Sequence, residues 1–155
     1  MENPTSRPSN RELLADLSYE KYSSWEAATH DVLILRKAFV RMCGGHFRSS
    51  ILLSQILYWH RPTKKNHESK LRVLFDGKMW IAKDHHEWTA ETCLSQRDLV
   101  RCFQRLTDLG LIEVIIKRFN GTPMRHVRIV GSAFMLAWTQ HVEDAPGTPF
   151  TWADD

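Results

Sequence analysis

The chain has 155 residues, 43% of them hydrophobic and 25% charged, which is ordinary for one soluble globular domain with short appendages. No apolar run approaches the roughly 18–20 residues of a membrane span, and the polar start with its two prolines is not a secretory signal. Three widely spaced cysteines (Cys43, Cys93, Cys102) suit free thiols in a reducing cytoplasm. The net charge of +3 is unevenly spread: +8 over residues 36–78 and +4 over 95–130, between a −3 start (1–35) and a −4 end (142–155). Such blocks suit a phosphate backbone or, equally, a solvated basic surface.

Residues 1–30 are poor in apolar side chains and read as a loosely held N-terminal arm, in which Leu13, Leu14 and Leu17 supply an amphipathic turn or two. Val32, Leu33, Ile34 and Leu35 read as a short buried strand. Residues 37–43 follow as a helical turn or two, broken by Gly44-Gly45. Over 48–60, Ile51, Leu52, Gln55, Ile56 and Trp59 recur at helical spacing, which predicts a core-facing helix ending before Pro62. Residues 61–70 are polar and basic, an exposed loop or β-excursion.

Apolar runs at 71–75 and 78–82 flank Asp76-Gly77, a strong hairpin-turn dipeptide. Asp84 and Glu87 predict a capping box on a short helix over 84–91, with Thr92-Cys93-Leu94 as the turn after it. Ser95 with Asp98 predicts a second box, opening a helix that runs to Leu109 and stops at Gly110. Residues 111–118 and 124–130 read as strands around a turn at 119–123, 131–141 as a brief closing helix, and 142–155 as a flexible acidic tail.

Strand, short helix, tight turn, second helix and hairpin is the order of a winged helix. The fold class expected is α+β, mainly helical: a winged helix-turn-helix with a two-stranded β wing and extra N-terminal helices, in a domain over 31–141 with its core at 79–130. Projected at about 100° per residue, Leu99, Cys102, Phe103, Leu106 and Leu109 gather on one side of the second helix, and Arg97, Arg101, Gln104, Arg105 and Asp108 on the other. A face that needed only solubility usually mixes Glu with Lys. Arg and Gln instead carry the forked donors that suit phosphates and base edges.

The candidate DNA contacts on this helix (95–109) are therefore Gln96, Arg97, Arg101, Gln104 and Arg105, with Gln104 suited to adenine. On the wing (111–130) they are Lys117, Arg118, Asn120 and Arg125, with His126 beside them around the tip. Asp108, Glu87 and Glu91 oppose phosphate wherever they face it. Tyr58, Trp59, Trp80 and Trp88 read as core aromatics rather than a base-stacking platform.

Residues 94–112, LSQRDLVRCFQRLTDLGLI, resemble the recognition helix and first wing strand of bacterial winged-helix proteins. Those families often read LS-x-R at the helix start and L-x-x-L-G-L-I at its end. Residues 51–60, then a basic gap and Asp76-Gly77-Lys78-Met79-Trp80-Ile81, are similar to a narrower group, the winged-helix domains of phage and plasmid replication proteins, replisome organisers included. The resemblance spans about residues 32–130. It implies double-stranded DNA binding in the cytoplasm, in replication or transcriptional regulation of a mobile element, as a homodimer or alongside host or replication proteins. The alternative is a mobile-element-encoded interaction protein that uses the fold to inhibit or recruit a host protein or nucleoprotein complex. The unmatched arm and acidic tail favour that alternative.

No H-E-x-x-H, Walker loop or G-x-S-x-G is present, and no carboxylate pair suggests an acid/base couple. His85 and His86 are adjacent on a helix, where side chains diverge by about 100°, and Cys93 reads as a buried turn residue. The expectation is a protein without catalytic residues, cofactor or metal, and with no membrane partner.

Overall fold

A computed structural model of the chain describes residues 19–63, 65, 70–71 and 73–143. The amphipathic turn expected at Leu13, Leu14 and Leu17, the basic stretch at 64 and 66–69, and the acidic tail from 144 onward lie outside the described residues. The chain divides into two units, Met1–Val32 and Leu33–Asp155.

In the first unit, helix α1 (Tyr19–Ala28) falls where the sequence reading expects only a loose arm. None of its residues is buried, and the Tyr22 and Trp25 rings face each other at 6.0 Å.

The second unit contains α2 (Lys37–Met42), α3 (Phe47–His60), β1 (Val73–Phe75), β2 (Lys78–Ala82), α4 (His85–Thr92), α5 (Gln96–Asp108), β3 (Ile112–Phe119), β4 (Thr122–Ile129) and α6 (Gly131–His141). The architecture is α+β, with six helices among the described residues and one four-stranded antiparallel sheet in the order β1-β2-β4-β3. None of these helices is long and apolar enough to cross a membrane.

Turn chemistry explains both hairpins. Asp76 and Gly77 (φ 52° and 69°) and Asn120 and Gly121 (φ 50° and 80°) pair positive φ values. These are the type I′ geometry whose twist matches that of the flanking strands. The second turn is tighter than expected, because the strands continue to Phe119 and resume at Thr122. The hairpins then join through Ile81 opposite Val127 and Ala82 opposite His126. The expected two-stranded wing is thus half of a larger sheet.

The helix ends follow their caps. Asp84 Oδ1 accepts from Glu87 N at 2.9 Å and Glu87 Oε2 from Asp84 N at 3.1 Å, a complete capping box. Ser95 Oγ accepts from Asp98 N at 3.1 Å, while the Asp98 carboxylate lies 3.6 Å from Arg48 Nε, so only half of the second expected box forms. At the far end of α5, Leu111 N bonds Leu106 O and Gly110 N bonds Thr107 O, with Gly110 at φ 74°. This Schellman exit aims β3 back along the helix, and it needs a glycine because a Cβ disfavours left-handed backbone.

The core is apolar and continuous. Leu99, Cys102, Phe103 and Leu106 of α5 meet Leu52, Leu53 and Ile56 of α3, Trp88 of α4, and Ile112, Val127 and Ile129 of the sheet. Trp88 and Phe103 pack edge to face at 5.5 Å. Helix α6 closes over α2 through Phe134 and Phe39, also edge to face, at 5.8 Å.

Four expectations are corrected. Val32, Leu33, Ile34 and Leu35 are exposed and unpaired rather than a buried strand, because β propensity is realised only where a ladder and a core face exist. Leu109, assigned to the apolar face of α5, is the C-cap residue and 44% exposed, since the chain is already leaving the helix there. Cys93 is exposed, held in left-handed backbone (φ 61°) by the turn between α4 and α5. Of the four aromatics read as core, Trp80 and Trp88 are buried and Trp59 is partly so, but Tyr58 points outward on α3.

His60 ties α3 to the sheet. Its Nδ1 donates to Ile56 O at 2.8 Å and its Nε2 accepts from Ile129 N at 3.1 Å, an arrangement only a neutral ring can make. Burial, and after it the Arg128 guanidinium, holds the ring below the usual imidazole range against the pull of Ile56 O. With the folded pKa depressed, the unfolded chain takes up the proton first. The contribution is therefore complete above the unfolded value and is lost as pH falls toward and through the folded one. His60→Ala should cost about 1–3 kcal/mol at neutral pH by leaving Ile129 N–H unpaired. In urea titrations the gap to wild type should narrow as pH drops from about 7 to about 5. A gap that stayed constant over this range would show that protonation of His60 is not linked to folding.

Candidate nucleic-acid interface

The buried stripe of α5 decides what the helix presents outward. With Leu99, Cys102, Phe103 and Leu106 held in the core, Gln96, Arg97, Val100, Arg101, Gln104, Arg105 and Asp108 are all exposed. The five helix residues singled out from the sequence therefore share one accessible surface. Among the described residues no ion pair or hydrogen bond ties down Arg97 or Arg101.

Gln104 is engaged: its Nε2 donates to Asp108 Oδ1 at 2.8 Å, one turn on, so it must release Asp108 before it can read a base. Arg105 leans toward the α2–α3 turn, with Nη1 3.5 Å from Cys43 O.

The wing residues do not form a single surface. Lys117 and Arg118 are neighbours on β3 and point to opposite faces of the sheet. Lys117 Nζ sits 3.7 Å from the Phe75 ring centre, over the first hairpin. On the other face Arg118 is exposed, while Arg125 lies half-buried with its guanidinium 4.2 Å from the Phe103 ring centre, and burial lowers its pKa. Asn120 is exposed at the tip. His126, expected near that tip, is instead only 1% exposed. The tight turn places it six residues from the tip, opposite Ile115, with Nδ1 2.9 Å from Met124 O.

Two acidic side chains that would oppose phosphate are occupied internally. Glu87 belongs to the α4 capping box. Glu91 accepts from Gln55 Nε2 at 2.7 Å and Trp59 Nε1 at 2.6 Å and pairs with Lys83, whose Nζ also lies 3.5 Å from the Trp59 ring centre. This network joins α3, α4 and the end of β2, and it neutralises the carboxylate.

Sequence reasoning missed His46 and Arg48. Gly44 (φ 65°) and Gly45 (φ 87°) end α2 and turn the chain so that His46 caps α3 beside the outer face of α5. His46, Arg101, Gln104, Arg105 and the acidic Asp108 then line one open groove, with Val100 and Leu109 as its apolar wall. The signal in the sequence was the basic residue just past a Gly-Gly break, but nothing local said which helix the break would face.

The His85 and His86 rings do not diverge as expected: their centres lie 4.0 Å apart at the start of α4. No group of three or more potential ligands occurs among the described residues. Cys43 and Cys102 are free and buried, and burial pushes the Cys43 thiol up to about 11 and raises that of Cys102. Both are therefore poor nucleophiles at neutral pH.

Comparison of the chain with protein-family models, curated proteins and solved structures finds no match.

Proposed function

We propose that residues 79–130 form a winged helix-turn-helix that binds double-stranded DNA, with α4 and α5 as the helix pair, α5 in the major groove and the β3–β4 hairpin as the wing. The observation that carries this reading is the outer face of α5: Arg97, Arg101, Gln104 and Arg105 exposed together, opposite a fully buried stripe. The order β2, α4, α5, β3, β4 agrees with it. Replication or transcriptional control of a mobile element rests on the resemblance of residues 51–60 and 76–81, and carries with it a bacterial cytoplasmic setting.

The test is a fluorescence-anisotropy titration of a short random-sequence duplex at two salt concentrations. Binding that weakens steeply with salt is expected, since each neutralised phosphate releases counterions. Arg118→Ala should weaken all sequences alike and reduce the magnitude of the salt slope by about 1. No binding at low salt would sink the reading.

A second reading, an interaction protein that grips another protein, is favoured by α6. From Ile129 to Val142 there is no Asp, Glu, Lys or Arg, and Met135 and Leu136 are 53% and 63% exposed. On that reading, α5 substitutions leave partner capture intact and Leu136→Glu abolishes it.

A further inference from the structure

His46 occupies an unusual position: it is the N-cap residue of α3 and also part of the wall of the α5 groove. Ser49 N donates to its Nδ1 at 3.2 Å, and Ser49 Oγ lies 2.7 Å from the same nitrogen. Because a backbone N–H can only donate, Nδ1 carries no proton in the neutral ring. The proton is therefore on Nε2, which is left to serve an outside partner. Arg105 lines the same groove, with Nη1 3.5 Å from Cys43 O, and Arg48 is the second residue of the helix that His46 caps. Two acids stand at this corner as well: Asp98, which Arg48 must leave to reach a phosphate, and Asp108, which lines the groove and accepts from Gln104. The N-terminal end of a fourteen-residue helix adds its positive dipole at the same corner.

We propose that this corner is a phosphodiester site: His46 Nε2–H, with the Arg48 and Arg105 guanidiniums, takes one backbone phosphate of the duplex and thereby sets the register of α5 in the groove. This rests on the duplex-binding reading and adds residues from a different part of the chain to it. The neutral imidazole contributes a directed hydrogen bond, whereas the arginines contribute charge, and the two roles separate experimentally. Only the arginines release counterions, so only they act on the salt slope.

The ring also reports on occupancy. In the free protein burial, then Arg105 and Arg48, hold the imidazole below its usual range, against the pull of Asp98. A bound phosphate offsets both arginines, so the ring in the complex takes up a proton more readily, and duplex affinity rises as pH falls. Ser49 Oγ can accept from the protonated Nδ1, although the bond from Ser49 N is then lost, which keeps this coupling modest.

The experiment combines histidine-ring NMR across pH, with and without a short duplex, and anisotropy titrations of variants. His46→Asn retains a good N-cap for α3 but is too short to present a donor in the groove. It is expected to weaken duplex binding about fivefold at pH above 7, to leave the salt slope unchanged and to abolish the pH dependence. Arg48→Ala should reduce the magnitude of the salt slope by about 1. In the wild type the His46 resonances should move on duplex addition and titrate at higher pH. If the protein binds duplex while the His46 resonances stay put and His46→Asn binds like wild type, the corner is not a phosphate site and the duplex reading stands. If the wild type binds no duplex at low salt, both fall.

Discussion

Replacing Arg97 and Arg101 together with alanine should weaken duplex binding at least about 30-fold and flatten its salt dependence. Each arginine contact to a base edge or phosphate is worth about 1–3 kcal/mol, and 1.4 kcal/mol is tenfold in affinity. The two side chains lie one turn apart on the first half of α5, both exposed and both unengaged among the described residues. They enter an interface without first breaking an intramolecular contact, unlike Gln104, which must leave Asp108. Because neither touches the core, the unfolding free energy from urea titration should stay within about 0.5 kcal/mol of wild type, so lost binding cannot be ascribed to unfolding. Anisotropy titration at two salt concentrations reads the result. A double variant that binds like the wild type would remove α5 from the interface, whatever else binds DNA.

The largest expected effect on stability is that of Trp88→Ala, a loss of about 3–5 kcal/mol. Trp88 is fully buried where α4, α5 and the end of β2 converge, edge to face with Phe103 at 5.5 Å and with Lys83 Nζ 5.6 Å from its ring centre. Total stabilities of single domains run from about 5 to 15 kcal/mol, so this one truncation removes a large share. Trp88→Phe should cost far less. The indole Nε1 is buried with no hydrogen-bond partner among the described residues, so removing it relieves a desolvated donor while most of the ring packing survives. Urea unfolding followed by circular dichroism separates the two. Equal losses would mean that a phenyl ring does not keep the edge-to-face packing on Phe103. Phe103, which meets Trp88 on this side, also carries the Arg125 guanidinium 4.2 Å from its ring centre.

How far the chain could be read without its structure follows from which interactions are local. The Asp84–Glu87 box, the Gly110 exit and the Asp76-Gly77 turn each depend on residues a few positions apart, and all are where the sequence predicts them. The two faces of α5 are equally local, since helical spacing alone separates Leu99, Cys102, Phe103 and Leu106 from the arginines. Propensity without a partner misled. Val32, Leu33, Ile34 and Leu35 have strand-forming side chains but no neighbouring strand, and Tyr58 follows Leu57 on α3 yet faces solvent.

The sequence by itself determined the order of elements from Lys37 onward, the Asp84 and Ser95 caps, the Gly110 exit, both hairpin turns and the basic face of one helix. All of these are set by backbone sterics and by contacts within a turn or two. Only the tertiary structure decided which basic residues remain free. Lys117 and Arg125 are drawn onto the rings of Phe75 and Phe103, and Glu91 is neutralised by Lys83 between α3 and α4. It also brought His46 and Arg48, some fifty residues earlier in the chain, to the edge of the α5 face. A cation becomes available or occupied according to the ring or carboxylate that packing sets beside it, and that neighbour is chosen by the fold of the whole core rather than by adjacent residues.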